Sequence, residues 1–186
     1  MAGNIRVFAF CGSLRSGSFN RMTLRAAEEL APERMRFESF DIGEMPLYNE
    51  DVRQQGFPPS VEMIRDRIRA ADAILFVTPE YNYSIPGVLK NAIDWASRPP
   101  DQPFAGKPAA IMGASPSVFG TARAQYHLRQ VCVYLNMFPV NQPEVLIAAA
   151  DKKFDANGRL TDEITRQIIA RQMNVFADWI ERLRAR

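Results

Sequence analysis

The sequence is poor in the residues on which several common chemistries depend. Among 186 residues there are two cysteines, Cys11 and Cys132, and one histidine, His127. The cysteines form neither a CxxC pair nor a metal-ligand set, which excludes a zinc cluster and a dithiol centre. Cys11 ends an apolar run and Cys132 falls in a predicted helix, so both read as core thiols. A lone histidine inside a predicted helix argues against a Ser-His-acid hydrolase and against a histidine-based metal site. Gly113-Ala114-Ser115-Pro116-Ser117 approaches a nucleophile elbow, but GxSxG requires glycine where Ser117 stands.

Charge of one sign is equally scarce. The formal net charge is +2, with acids and bases spread along the chain, which leaves no basic face for nucleic acid. The one basic cluster, Arg182, Arg184 and Arg186, ends the last predicted helix, where cations suit the dipole. No stretch approaches 18 apolar residues, and the first residues lack a cationic region followed by a long apolar run. The expected setting is the cytoplasm, with no membrane contact. GxxxxGK[ST] and GxGxxG are both missing, which removes the usual triphosphate and dinucleotide loops.

What is present is ordinary globular composition, 47% hydrophobic and 24% charged, over a length that suits one domain spanning residues 1–186. Short apolar runs at Ile5 to Cys11, Ala73 to Thr78, Pro108 to Gly113 and Val145 to Ala149 predict strands, and Met35 to Asp41 alternates like a strand nearer an edge. Between them lie helical patterns at Asn20 to Leu30, Val61 to Ala71, Pro86 to Ala96 and Gly120 to Met137. A last helix carries the stripe Ile164, Ile168, Met173, Phe176, Ile180 and Leu183. Asn20 is the expected N-cap of the first helix and Pro32 its stop; Gly43 to Pro59 reads as a long loop. Five strands alternating with five helices predict a parallel sheet covered on both faces. A five-stranded doubly wound fold of flavodoxin type suits the length best, and the pattern alone leaves a Rossmann-like order open.

In such a sheet, ligands bind beyond the carboxyl ends of the strands. The first loop there, Gly12-Ser13-Leu14-Arg15-Ser16-Gly17-Ser18-Phe19-Asn20, offers hydroxyls, an amide, a guanidinium and the N-terminus of a helix. That set suits a terminal monophosphate. The second, Pro79-Glu80-Tyr81-Asn82-Tyr83-Ser84-Ile85-Pro86-Gly87, is stiffened by two prolines and suits the edge and face of a planar heteroaromatic ring. The third, Gly113 to Gly120, is placed to close over such a ring from the other side. Residue by residue, a bland reading competes: serines and glycines fill loops, Tyr83 serves as surface cover, Glu80 as a solvated turn residue.

Gly12-Ser13-Leu14-Arg15…Ser18…Asn20 together with Pro79-Glu80-Tyr81-Asn82…Ser84…Pro86-Gly87…Leu89-Lys90-Asn91-Ala92…Asp94-Trp95 resembles the NADPH-dependent FMN reductase family, over nearly the whole chain. Tyr126-His127-Leu128-Arg129-Gln130 further resembles its bacterial quinone and chromate reductase branch. The resemblance implies a flavodoxin-like sheet of order 2-1-3-4-5, bound FMN, NADPH or NADH as co-substrate, and homodimers or homotetramers. Carried over by position, Ser13, Arg15, Ser18, Phe19 and Asn20 would hold the phosphate and the start of the ribityl chain. Pro79, Glu80, Tyr81, Asn82 and Tyr83 would line the isoalloxazine, with Ser115 near the ring. Met45-Pro46-Leu47-Tyr48-Asn49 would lie at the active-site rim or a subunit contact.

The flavin would carry the chemistry: hydride reaches N5 from the nicotinamide, and two electrons then pass to a quinone, free flavin, chromate, azo or nitro compound in a ping-pong cycle. No side chain is expected to act as catalytic acid or base. Two other readings use the same fold, an electron carrier without turnover of its own and a non-catalytic regulator. Carriers of that type are acidic, unlike a chain at +2. Arg123, Tyr126 and Arg129, spaced by three on the fourth long helix, with Glu144 after it, form the expected contact of a tetramer built from dimers.

Overall fold

The computed structural model describes residues 4–185; Arg186 of the terminal basic cluster lies outside them. Six strands form one parallel sheet: β1 Ile5–Cys11, β2 Met35–Ser39, β3 Ala73–Val77, β4 Pro108–Ala114, β5 Phe138–Pro139 and β6 Val145–Ile147. Their order is β2-β1-β3-β4-β5, and β6 also pairs with β4, so β5 and β6 share the fifth place. β3 and β4 are buried along their whole length, as expected for strands covered on both faces. β2, at the edge, is largely exposed beyond Met35.

Two cores flank the sheet. α1 (Phe19–Leu30) and α6 (Glu163–Arg184) cover one face, packing Leu24, Ala27, Ile169, Met173, Phe176 and Ile180 on the inward residues of β1, β3 and β4. α3 (Pro59–Ala70), α4 (Gly87–Ala96) and α5 (Ala122–Tyr134) cover the other, around Phe10, Phe76, Trp95 and Phe104.

The expected elements shift in several places. The fifth strand ends at Ile147 rather than Ala149, and a two-residue strand, Phe138–Pro139, precedes it beside β4. Pro139 and Pro143 carry no N–H to donate to a ladder, and the backbone leaves β4 between them. Gln172 of α6 spans the gap, its amide nitrogen donating to the carbonyls of Ile111 (3.2 Å) and Pro143 (2.8 Å). The loop from Gly43 to Pro59 contains a short helix, α2 (Glu50–Gln54), making six helices in place of five. Asn49 caps it through the Asp51 N–H at 2.8 Å. It is too short to show a helical period.

Ser18, not Asn20, caps α1, accepting from the N–H groups of Asn20 and Arg21 at 3.2 and 3.3 Å. α5 starts at Ala122, because Gly120 and Thr121 hold left-handed φ values of 53° and 71°. The buried stripe of α6 runs through Ile169, not Ile168, and Ile164 is 70% exposed. Cys132 is buried; Cys11 is only half buried. Burial pushes both thiols above their ordinary range, Cys132 to about 12.

Candidate functional site

β1, β3 and β4 end at one edge of the sheet, and two glycines let their loops meet. A Cβ on Gly113 would lie 2.2 Å from both the Thr78 carbonyl and the Thr121 hydroxyl, so only glycine fits there. At Gly12 a Cβ would stand 3.0 Å from the Thr78 hydroxyl and 3.2 Å from Pro79. The Gly12 N–H donates to Val77 at 2.8 Å, the last bond before the chain leaves the sheet.

Beyond Gly12 the backbone turns outward. Among the described residues, the N–H groups of Leu14, Arg15, Ser16 and Gly17 donate to no protein acceptor. Ser13 and Ser18 are buried; Arg15 and Ser16 face solvent. No acid stands in the first turn of α1, so the positive end of that helix is unopposed. Phe19 turns its ring away, stacking on Phe154 at 5.7 Å, and packs into the core beneath the loop. Asn20 is buried, its carboxamide bonded at both ends to Ala114: Oδ1 accepts the N–H and Nδ2 donates to the carbonyl, each at 2.9 Å. Asn20 thus pins the first loop to the third.

The second loop is a rigid turn. Tyr81 and Ser84 exchange backbone hydrogen bonds of 3.0 and 2.9 Å, and between them Asn82 and Tyr83 have φ of 49° and 68°. Pro79 is buried at its start. Glu80 is no solvated turn residue: its side chain is 8% exposed and pairs with Arg123, and it accepts from the N–H groups of Arg123 (3.0 Å) and Ala124 (3.2 Å). The carboxylate therefore caps α5, a favourable place for a negative charge. The Arg123 guanidinium carbon lies 3.6 Å from the centre of the Tyr83 ring and 4.1 Å from that of Phe119. That joins the second loop to the third. Tyr81 and Tyr83 remain 47% and 67% exposed.

In the third loop, the Ser115 hydroxyl accepts from Ser117 N–H at 3.1 Å, and Ser115 N–H donates to Ile147 at 2.9 Å. Ser115 is half buried beside Ala114 at the end of β4. Near α4, the segment from Met45 to Asn49 is bolted down: Asn91 bonds Tyr48 N–H (2.8 Å) and the Pro46 carbonyl (2.9 Å), and the Trp95 indole donates to Pro46 at 2.8 Å. Leu47 is left 84% exposed at its tip. The stripe on α5 finds partners inside the chain. Besides Arg123 with Glu80, Arg129 donates to the Val140 carbonyl at 2.9 Å, and the neighbouring Glu144 carboxylate raises the pKa of the Tyr126 phenol.

The donor set fits a flavin mononucleotide. Unclaimed N–H groups, a helix N-terminus and the exposed Arg15 suit a phosphate dianion. The Tyr81–Ser84 turn leaves the Asn82 and Tyr83 N–H groups without a protein acceptor among the described residues, which suits the polar edge of a flat ring. Sequence reasoning missed Ala114, Asn91 and His127 as supports of these loops. Their partners are distant in sequence, and no local pattern marks them.

A doubly wound parallel sheet of order 2-1-3-4-5 with helices on both faces defines a flavodoxin-like protein. Within that class, the chain belongs to the NADPH-dependent FMN reductase family, whose profile matches residues 5–152. Known relatives agree. An NAD(P)H-dependent FMN reductase of Pseudomonas aeruginosa is 59% identical over 184 residues, covering 99% of this chain and 100% of that protein. A quinone reductase of Escherichia coli K12 is 45% identical over 187 residues, with 99% and 100% covered. Among solved structures, the flavoenzyme NAD(P)H:(acceptor) oxidoreductase FerB of Paracoccus denitrificans superposes with a TM-score of 0.86 at 40% identity, covering 97% of this chain and 98% of that one. The chain is thus an oxidoreductase of a flavin-linked, NAD(P)H-dependent family. Among the described residues no helix is long and apolar enough to cross a membrane.

Proposed function

We propose that this chain binds FMN across the three loops and uses NADPH or NADH to reduce quinones, free flavins or related acceptors. The observation that carries this reading is the row of unclaimed N–H groups from Leu14 to Gly17, ending at α1 on the same sheet edge as the rigid Tyr81–Ser84 turn. Ser13, Arg15, Ser16 and Ser18 hold the phosphate. Asn20 holds the loop itself, since its carboxamide is committed to Ala114. The turn from Pro79 to Tyr83 receives the ring on one side and Ser115 on the other.

Bound FMN supplies the redox chemistry, taking hydride from the nicotinamide and passing two electrons to the acceptor. The protein's part is to bind and orient. On the three loops, Leu14, Tyr81, Tyr83, Val118 and Phe119 are all exposed and apolar or aromatic, a rim that suits flat, weakly polar acceptors. Such an open rim is compatible with chromate, azo and nitro compounds as well as quinones. The protein works in the cytoplasm as a homodimer or homotetramer, with the α5 face around Tyr126 as a contact. Light scattering at micromolar concentration tests the assembly, and a monomer would remove it.

The function is tested by spectroscopy. Purified protein should release FMN, not FAD, on denaturation, and anaerobic NADPH or NADH should bleach its flavin absorbance. A protein that takes up no FMN, or whose flavin neither nucleotide reduces, overturns the reading. The second failure would leave an electron carrier.

A further inference from the structure

The Tyr81–Ser84 turn is held in a conformation its residues do not favour. Asn tolerates a left-handed backbone, but Tyr83 at φ 68° does so only under outside constraint. Three constraints are visible, and all come from α5. Glu80, just before the turn, caps α5 on the Arg123 and Ala124 N–H groups. Tyr83, within it, lies against the Arg123 guanidinium. Ser84, which closes it, shares a hydrogen bond of 3.0 Å between its hydroxyl and Nδ1 of His127. Arg123 and His127 lie one turn apart on the helix, at i and i+4, and Ala124 contributes only its backbone N–H.

We propose that the first turns of α5 are the splint of the ring loop, and that His127, the only histidine, is a positioning residue acting through Ser84. Both ends of the turn are anchored to a helix that is itself fixed in the core by Leu128 and Cys132. The Asn82 and Tyr83 N–H groups are thereby aimed before any ligand arrives, so less ordering remains for binding to impose. This inference rests on the proposed site, which makes that turn the ring-binding edge.

The test separates the two. In the flavin-free protein, His127→Ala should accelerate amide exchange at Tyr81 and Ser84, the two donors that close the turn, by about three- to tenfold, the range of one net hydrogen bond. The FMN dissociation constant should rise by a similar factor. Ser84→Ala should do the same, and the double variant no more than either alone, since both remove one bond. His127→Asn, which keeps a hydrogen-bonding group near the Nδ1 position, should restore most of both. Unchanged exchange at Tyr81 and Ser84, additive losses, or faster exchange with unaltered FMN affinity would each overturn the proposal. If wild-type protein takes up no FMN, the proposed function fails, while the exchange data still decide whether the splint exists.

Discussion

Asn20 and Ala114, 94 residues apart in sequence, bond to each other twice, amide to backbone, at the point where the first and third loops meet. The pair does in one contact what a ladder bond does inside the sheet. It ties the first turn of α1 to the end of β4. Both Ala114 groups are buried, so removing the carboxamide strands a donor and an acceptor. Asn20→Ala should cost about 2–3 kcal/mol in denaturant unfolding. Asn20→Asp should cost more near neutrality, because a carboxylate oxygen would face the Ala114 carbonyl. Repulsion and burial raise the pKa of such an aspartate in the folded state. Its deficit against wild type should therefore be smallest in acid and grow as pH rises through the carboxylate range. A deficit independent of pH would show that residue 20 does not face that carbonyl.

Arg15 is exposed in the first loop and, among the described residues, forms no ion pair. If it closes on the flavin phosphate, Arg15→Ala should weaken FMN binding by about ten- to a hundredfold, the range for hydrogen bonds to charged groups. Folding stability should hardly change. Because the contact is exposed, added salt should erode the wild-type affinity more than the variant's. Fluorescence titration at several ionic strengths reads both. Equal affinities would place the phosphate elsewhere.

Much of this was legible in the sequence, for identifiable reasons. β3 and β4 are continuous apolar runs because they are covered twice, and the donors of the first loop lie in adjacent residues. What stayed hidden depends on partners far away. Nothing near Glu80 announces that its carboxylate will cap a helix more than 40 residues later, or that Arg123 will meet Tyr83 and Phe119 instead of solvent. The α6 stripe was misplaced by one residue because Ile164, Ile168 and Ile169 all look alike, and only the register of the packed helix selects Ile169. The fifth strand looked whole because Val145 to Ile147 is apolar; the prolines that split it act on backbone donors, not on hydrophobicity.

Cys132 gives a prediction with a defined pH window. Burial in α5 lifts its pKa from the ordinary 9.0 to about 12. Below pH 9 the thiol is protonated in both states and contributes no pH dependence. Between 9 and 12 the unfolded chain loses the proton while the native one keeps it. Stability should then fall with rising pH by about 1.4 kcal/mol per unit. Cys132→Ala removes this group, so the variant, less stable at pH 8, should close the gap as pH approaches 11. A constant gap in urea unfolding would mean that the thiol ionises equally in both states. Native protein should also resist alkylation at Cys132 until it is unfolded.

The proposed function makes a kinetic prediction if one site between the loops serves both substrates. Tyr83, Phe119 and Leu14 are exposed on the three loops, which the Asn20–Ala114 and Glu80–Arg123 contacts tie together. Under the proposed function, nicotinamide and acceptor use the same flavin face, one after the other. Initial rates over both concentrations should give parallel double-reciprocal lines, and oxidised nicotinamide should compete with the quinone. High quinone should inhibit competitively against NADPH for the same reason. Enlarging the opening should not alter the order of events: Phe119→Ala should change the KM for bulky quinones while the lines stay parallel. Intersecting lines would require both substrates to be bound together, and so a second pocket beyond this rim.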